Sequence, residues 1–387
     1  MRILIAGGSR DFGTAFNDGF VTRHRRLARH LAARHEVGLL ALREHGDGSA
    51  PSPDLEPLVL ADIAVPVVQS RRQRAGVMSR RFRPVQPTGW AHDIAREADT
   101  FSPDVVVTFG PWLDHQYEYL RRRYPTVHFF EEDTSPLFPI GPMRLTGRAF
   151  AAAERAAHYW ARGRVPAVVT ISAREEAAAR RRYRGARVET LPFTLPDDDW
   201  PLAPDRSQGC DLLVVAALDQ ERNAAGLVDI LGELARRQVS HIPVVLVSAG
   251  GLHPTLSPFR DLDWVRQETC GEQLWPRYRT SRMSLVPARR VTGIKTTILQ
   301  SWSQGTPVLA FHASADTLPT VTHHGLLAAA DAGNAVDLLL QAWDDEDLLT
   351  RLSNEGRRAY TTHFDETATL ERAERLVTEV RGGRFSS

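Results

Sequence analysis

Short apolar runs alternate with amphipathic segments along the chain, and each run is long enough for one buried strand. In the first 45 residues, the pattern predicts a strand over 2–6, a turn-rich loop over 7–13, a helix over 21–35 and a second strand over 36–42. A strand, a helix and a strand in this order form a βαβ unit. Such a unit opens a parallel, doubly wound sheet.

The same alternation continues to about residue 311. Further strands are predicted over 104–108, 127–130, 167–171, 212–216, 243–248, 283–287 and 307–311, with one more near Trp264 and helices over 224–236 and 296–304. Residues 191–207 interrupt the alternation with four prolines and four aspartates. Proline cannot continue a helix or a central strand, so this stretch is interpreted as an interdomain linker. We therefore expect two α/β domains, over residues 1–198 and 199–365, and a ligand site in the cleft that they face.

The overall charge is almost balanced. The 387 residues include 48 Lys and Arg against 47 Asp and Glu, so the formal charge is only +1. A nucleic-acid-binding protein normally carries a large positive excess, and we expect no nucleic-acid partner. Neither a signal peptide nor an apolar run of about 18 residues is apparent, which indicates a cytoplasmic protein.

Arginines are crowded in one place. Arg71, Arg72, Arg74, Arg80, Arg81 and Arg83 lie within a short stretch. Two interpretations remain open. The cluster is a solvated loop, or it contacts an anionic acceptor or a membrane surface.

Lysine occurs once in the chain, as Lys295, directly after a glycine turn and before a predicted helix. Free backbone amides and the helix dipole favour an anion at a helix N-terminus, and the compact charge of lysine suits phosphate oxygens. The spacing differs from the P-loop pattern. The alternative is that Lys295 is a solvated residue of the first helical turn.

The segment around this lysine also resembles a known family. Residues 285–310 have the sequence LVPARRVTGIKTTILQSWSQGTPVLA, which is similar to the donor-binding segment of family 4 glycosyltransferases. Residues 27–37, 164–195, 212–227 and 351–377 resemble other passages of that family, in the same order. The resemblance implies the GT-B fold, with two doubly wound Rossmann-like domains facing across a cleft. It also implies that a C-terminal helix, residues 366–387, returns to the N-terminal domain.

The family resemblance implies an enzyme of the hexosyltransferase type that retains the anomeric configuration. It would move a sugar from a nucleotide-diphosphate sugar to a hydroxyl of a small-molecule or saccharide acceptor, in natural-product or polysaccharide biosynthesis. No cofactor is implied besides the nucleotide-sugar co-substrate. No metal is implied either, because cationic side chains and helix amides would stabilise the leaving phosphate.

The expected donor site combines residues of both domains. Its members are Gly8, Ser9, Arg222, Thr292, Gly293, Ile294, Lys295, Thr296, Thr297 and Gln300, and the base is expected at loop 268–271. Lys295 is also expected to be catalytic. Gly8 and Ser9 either approach the diphosphate or form a tight turn after the first strand. Thr292 and Gln300 stand where the family usually has glutamates, so a catalytically impaired GT-B-like protein that binds a nucleotide or a partner is the second hypothesis.

Four candidates follow predicted strands of the first domain. Glu132 and Asp133 either act as catalytic residues near the sugar and the acceptor hydroxyl, or cap a loop or helix. Asp114 and His115 either contact the acceptor or have a structural role.

Overall fold

The computed structural model describes residues 1–8, 19–44, 52–65, 89–109, 118–129, 165–183, 185–197, 200–203, 209–248, 250–269, 274–289, 291 and 293–382. The chain forms two compact units. The first contains 1–171, 175–191 and 367–387, and the second contains 172–174 and 192–366.

The described elements follow each other as alternating strands and helices. Up to residue 190 they are β1 (Arg2–Gly8), α1 (Gly19–Ala32), β2 (Glu36–Glu44), β3 (Val59–Val65), α2 (Gly89–Phe101), β4 (Val105–Phe109), α3 (Glu118–Arg123), β5 (Thr126–Phe129), β6 (Ala167–Thr170), α4 (Ala173–Arg182) and β7 (Arg187–Thr190). They continue as β8 (Leu212–Val215), α5 (Glu221–Arg236), β9 (Val244–Ser248), β10 (Val265–Thr269), α6 (Leu274–Arg279), β11 (Met283–Val286), α7 (Thr296–Ser303), β12 (Val308–Phe311), α8 (His312–Ala315), β13 (Leu326–Ala329), α9 (Ala332–Trp343), α10 (Glu346–His363) and α11 (Glu366–Arg381). Short 3₁₀ helices span Glu56–Leu58, Pro254–Phe259 and Thr320–Gly325.

The first unit is built on a parallel sheet with the strand order β3-β2-β1-β4-β5-β6-β7. All five residues of β4 and all four of β5 are buried. Strands in the middle of a parallel sheet are covered by helices on both faces, which explains why β4 is a mainly apolar run. In β5, the polar residues Thr126 and His128 are buried together with Val127 and Phe129.

Helix α11 completes the core of this first unit. Ala373, Leu376, Val377 and Val380 are buried among the strand residues of the first sheet. Their spacing places them on one face of the helix. The last helix of the chain therefore packs with the N-terminal strands.

The second unit repeats the same topology. Its parallel sheet has the order β10-β9-β8-β11-β12-β13, with one large apolar cluster on each face. The direction of strand order reverses between β8 and β11, which pair with each other through Met283 and Ser284 of β11. Two parallel-sheet Rossmann-like domains confirm the predicted α/β fold class of the GT-B type.

Three strands were not predicted from the sequence, and strand β1 is longer than predicted. β3, β7 and β13 were not expected, and each lies at the edge of its sheet. The fourth edge strand, β10, is the strand that was expected near Trp264. Edge strands are covered less completely, so polar and exposed residues such as Asp62 break the apolar run. Gly7 and Gly8 were assigned to a turn, but they continue β1 and pair with Ala41 and Leu42 of β2.

The proline-rich stretch is more than a connection. Its described residues contain neither a helix nor a strand, as predicted. However, Phe193, Leu195 and Trp200 are buried in the core of the second unit. The interpretation of the whole stretch as a linker was therefore wrong. Removing these large apolar side chains from water lowers the free energy of the folded state, so this part of the stretch packs into the core.

No helix in the described part of the chain is both long enough and apolar enough to cross a membrane.

Candidate functional site

The topology of the second sheet places a crevice at the carboxyl ends of β8 and β11. After β8 the chain passes through residues 216–220 into α5, and after β11 it passes through residues 287–295 into α7. The two connections leave neighbouring strands at the point where the strand order reverses. In doubly wound sheets this reversal separates the adjoining loops and leaves room for a ligand.

Helices α5 and α7 both begin at this crevice without a side-chain cap. Their N-cap residues are Gln220 and Lys295, and neither side chain accepts from the first turn. By contrast, Asp331 and Asp345 cap α9 and α10, each accepting from a backbone amide at 2.9 Å. Because no side chain caps these two N-termini, backbone N–H groups of the first turn remain as hydrogen-bond donors there. Together with the positive end of the helix dipole, they attract an anion.

The start of α7 and the residues directly before it contain half of the predicted donor-site residues. Gly293, Lys295, Thr296 and Thr297 are partly exposed, whereas Ile294 is buried in the core. In the described part of the structure, the amides of Thr296 and Thr297 have no hydrogen-bond partner. Two amides, two hydroxyls and one ammonium group are therefore concentrated in five consecutive residues.

Helix α5 approaches the loop after β11 so closely that only glycine fits at the contact. A Cβ atom on Gly226 would lie 1.9 Å from the carbonyl oxygen of Pro287 and 3.0 Å from a ring carbon of Phe311. The close approach joins the helix that starts at one side of the crevice to the loop on its other side. Arg222 lies one turn before Gly226, in the first turn of α5.

The next two residues of this loop are also held. The buried hydroxyl of Ser314 donates to the carbonyl oxygen of Ala288 at 3.0 Å. Arg289 forms an ion pair of 2.6 Å with Asp229 of α5, and its guanidinium lies over the ring of Phe311, 5.0 Å from the centroid. Residues 287–289, at the start of this loop, are thus held by contacts with α5, β12 and α8.

Gln300 lies in the second turn of α7 and is supported from inside the core. Its side-chain oxygen accepts a hydrogen bond of 3.0 Å from the hydroxyl of Tyr278, which is fully buried. Its backbone oxygen accepts from Ser303, whose hydroxyl in turn accepts from the indole of Trp200. The alignment of Gln300 with a glutamate of the family did not predict this bond. Sequence reasoning missed Tyr278, because no motif links it to a residue 22 positions later.

The remaining predicted site residues lie on other elements or outside the described residues. Gly8 ends β1 in the first unit, and Arg222 is the second residue of α5 in the second unit. The side chain of Arg222 is not described. Ser9, Thr292, Asp114, His115, Glu132, Asp133 and the arginine cluster of residues 71–83 lie outside the described residues.

Glu268, expected in a loop that contacts the base, belongs instead to strand β10. Its carboxylate pairs with Arg277 at 3.0 Å, and Arg277 also binds the buried Asp211 at 2.7 Å. Burial by itself lowers the pKa of Arg277, but the hydrogen bonds to Asp211 and Glu268 outweigh it and raise this pKa. The ion pairs therefore stabilise the fold around α6. The prediction that Glu268 lies in a loop was wrong, whereas a contact of residues 268–271 with the base stays a prediction.

Within the described residues, no three His, Cys, Asp or Glu side chains are close enough together to hold a metal ion.

Comparisons with known proteins identify relatives by structure. No protein-family model matches the chain, and no curated protein matches its sequence. Sucrose-phosphate synthase from Thermosynechococcus elongatus is similar with a TM-score of 0.70 and 14% identity, over 99% of each chain. HepE of Anabaena in complex with UDP has a TM-score of 0.69 and 11% identity, over 98% of this chain and 100% of that one. WaaG, a glycosyltransferase involved in lipopolysaccharide biosynthesis, has a TM-score of 0.63 and 16% identity, over 98% and 100%.

Proposed function

We propose that the protein is a glycosyltransferase that uses a nucleotide-diphosphate sugar. The observation that carries this proposal is the crevice of the second unit. There the uncapped start of α7 presents Lys295 and the amides of Thr296 and Thr297, which have no partner among the described residues, beside a loop held by α5. A diphosphate supplies the negative charge and the several acceptor oxygens that such a set of donors requires.

The structural neighbours support the same proposal. HepE has been crystallised with UDP, with UDP-glucose, and with UDP and glucose. Its likeness to this chain extends over nearly the full length of both. A ligand of the same chemical class, a nucleoside diphosphate linked to a sugar, is therefore proposed here.

The proposed reaction transfers a hexose with retention at the anomeric carbon. The bond between that carbon and the diphosphate oxygen breaks, the acceptor hydroxyl oxygen bonds to the carbon, and the hydroxyl proton passes to the leaving diphosphate. Negative charge accumulates on the diphosphate, where Lys295, Arg222 and the amides of Thr296 and Thr297 would stabilise it. This scheme uses no metal ion and no further cofactor.

Residues outside the described ranges complete the proposal. Thr292 would line the donor site together with Gly293 and Gln300. The acceptor, a small molecule or a saccharide in natural-product or polysaccharide biosynthesis, would be bound by residues of the first unit. Asp114 and His115 would bind the acceptor, and Glu132 and Asp133 would orient the hydroxyl and the sugar. Gly8 and Ser9 are proposed as members of the donor site.

A second function is favoured by one observation. The side-chain oxygen of Gln300 is occupied by the Tyr278 hydroxyl, and Gln300 carries no charge. A protein with such a site would still bind the diphosphate at α7 while transferring sugar slowly or not at all. This alternative is a nucleotide-binding protein with impaired catalysis.

One experiment separates the two. The protein is incubated with UDP-, GDP-, ADP- and dTDP-hexoses and a panel of hydroxyl acceptors, with and without EDTA. Binding is measured by calorimetry, and the products and their anomeric configuration by NMR. Transfer in the presence of EDTA with retention of the anomeric configuration supports the proposal. Inversion would contradict the proposed retention, and loss of activity in EDTA would contradict the proposed metal-independent reaction. Binding without transfer or hydrolysis supports the alternative, and the absence of binding refutes both.

A further inference from the structure

Asp219 has an exposed carboxylate at the crevice of the second unit. It lies in the connection from β8 to α5, directly before Gln220, the N-cap residue of that helix. No hydrogen bond or ion pair links this carboxylate to another described residue. A negative charge beside a site for an anion weakens the binding of that anion, unless the ligand also supplies a hydrogen-bond donor to the charge. The crevice therefore contains an acceptor for which the described residues provide no donor.

The backbone next to Asp219 is held by the end of β9 and the connection that follows it. The amide of Leu218 donates to the buried hydroxyl of Ser248 at 3.2 Å. The carbonyl oxygen of Leu218 accepts from the amide of His253 at 2.8 Å. The position of Asp219 is therefore set by the packing of two connections and does not depend on a ligand.

The side chain of Asp219 lies against Gly250, which follows β9. An added Cβ on Gly250 would be 3.2 Å from the carboxyl carbon of Asp219 and 3.4 Å from its Oδ2. Glycine therefore lets the carboxylate come close to the backbone of this connection. At the next residue, Gly251, an added Cβ would meet no atom of the described residues within 4 Å apart from its chain neighbours. The two exposed glycines thus form a surface without side chains beside the Asp219 carboxylate.

This glycine surface lies on the other side of β8 from helix α7. The strand order is β9-β8-β11, and α7 follows β11. Because neighbouring strands lie about 4.8 Å apart, the end of β9 is displaced by about 10 Å from the strand that leads to Lys295. If the diphosphate binds at the start of α7, a nucleoside that extends across β8 brings its base to the glycine surface, because the ribose lies between the base and the phosphates.

A carboxylate at this position distinguishes the nucleobases. An ionised carboxylate only accepts hydrogen bonds, and its two oxygens suit two parallel N–H groups. Guanine has such a pair on one edge, at N1 and at its exocyclic amino group. Uracil has one N–H between two carbonyl oxygens, which the carboxylate would repel, and adenine has an amino group next to a ring nitrogen that only accepts. Guanine is therefore the base that fits Asp219 best.

We infer that Asp219 determines the base specificity of the donor site. Its carboxylate accepts from N1 and the amino group of a guanine that lies over Gly250 and Gly251, so the preferred donor is a GDP-sugar. This inference rests on the proposed function, which requires a nucleoside diphosphate at α7 but leaves the base open.

The first test compares nucleoside diphosphates without a sugar, so that contacts with the hexose cannot contribute. The Kd values of GDP, IDP, UDP and ADP are measured by calorimetry with the wild type. IDP lacks only the exocyclic amino group of guanine. We expect GDP to bind most tightly, and IDP to bind about 10- to 150-fold more weakly than GDP, which corresponds to one hydrogen bond to a charged group.

The second test removes the acceptor. In Asp219→Ala, GDP should bind about 10- to 150-fold more weakly, and the ratio of the Kd values of IDP and GDP should fall to about 1, because the partner of the amino group is gone. A general structural effect would weaken both nucleotides and leave this ratio unchanged. Asp219→Asn keeps the size of the side chain and should also lower the ratio, since a neutral amide oxygen is the weaker acceptor.

Asp344→Ala is the control for the change in net charge. Asp344 is exposed and follows α9, so it lies at the opposite edge of the sheet from the crevice. Its replacement should leave the Kd of GDP and the ratio of IDP to GDP unchanged. Thermal unfolding verifies that each variant is folded.

The outcomes separate this inference from the proposed function. Tighter binding of UDP or ADP than of GDP overturns the inference, as does equal binding of GDP and IDP by the wild type. A preference for GDP over IDP that survives in folded Asp219→Ala or Asp219→Asn overturns it as well. In each case the wild type still binds a nucleoside diphosphate, so the proposed function is unaffected. If the wild type binds none of the four, both are overturned together.

Discussion

Gly226 offers the sharpest test of how the loop after β11 is held. Replacing it with alanine adds one methyl group in a helix, and that methyl would lie 1.9 Å from the carbonyl oxygen of Pro287. An ordinary contact between carbon and a carbonyl oxygen is about 3.3 Å, so helix and loop must separate by about 1.4 Å. Both partners are backbone, and neither can move aside by changing a rotamer.

The same helix contains its own control. At Gly232 an added Cβ would be 4.0 Å from a ring carbon of Phe259, which is an ordinary contact. Alanine improves helix propensity at either position, so Gly232→Ala should raise the free energy of unfolding by up to about 1 kcal/mol. Gly226→Ala gains the same helix propensity, but overpacking costs about 1–3 kcal/mol. The free energy of unfolding of Gly226→Ala should therefore be lower than that of Gly232→Ala by about that amount.

Thermal unfolding measures the difference directly. For a unit of this size each kcal/mol corresponds to about 2–4 °C in Tm. Calorimetry with the bound nucleoside diphosphate adds the functional readout, and only Gly226→Ala should weaken binding, because it displaces the loop that leads to Lys295. If both variants are equally stable and bind the nucleotide equally well, the proposed rigid contact between α5 and the loop is wrong.

Three further variants test other parts of the structure. Lys295→Ala should weaken nucleoside-diphosphate binding by about 1.5–3 kcal/mol, the range for a charged hydrogen bond, and full activity in Lys295→Arg would show that the lysine itself is not required. Gln300→Glu keeps an acceptor for the tyrosine hydroxyl and should leave the protein folded; a gain in transfer rate, measured with the preferred sugar donor, would show that glutamine limits the natural enzyme. Burial raises the pKa of Glu374, but hydrogen bonds from Arg34 and His30 outweigh it and hold this pKa below 4.5. Because the pKa of Glu374 is lower in the folded protein than in the unfolded chain, its ionised form stabilises the folded state at a pH above the pKa of the unfolded chain. This contribution to the free energy of unfolding should be lost as the pH falls below 4.5 and through the pKa of the folded state. Glu374→Gln should flatten that part of the pH profile of unfolding, and an unaltered profile would contradict the assignment.

Much of the fold could be predicted from the sequence, because central strands of a parallel sheet are covered on both faces. Residues 105–109 and 244–248 are mainly apolar runs for this reason, and each lies in a fully buried strand. The edge strands β3, β7 and β13 were missed because an edge strand has a neighbouring strand on only one side and is partly exposed to solvent, so its sequence is less apolar. Whether Phe193 and Trp200 belong to a linker or a core depended on packing partners far along the chain, such as Ser303.

Part of the candidate site could also be predicted from the sequence, and part could not. The local pattern of glycine, lysine and threonine before a helix indicated an anion site, because the N–H groups at a helix N-terminus belong to residues that are adjacent in the sequence. Only the tertiary structure decided what surrounds it. The approach of Gly226 to Pro287 and the bond from Tyr278 to Gln300 join residues on separate elements. Such contacts arise when helices pack on the sheet, and spacing along the chain carries no information about them.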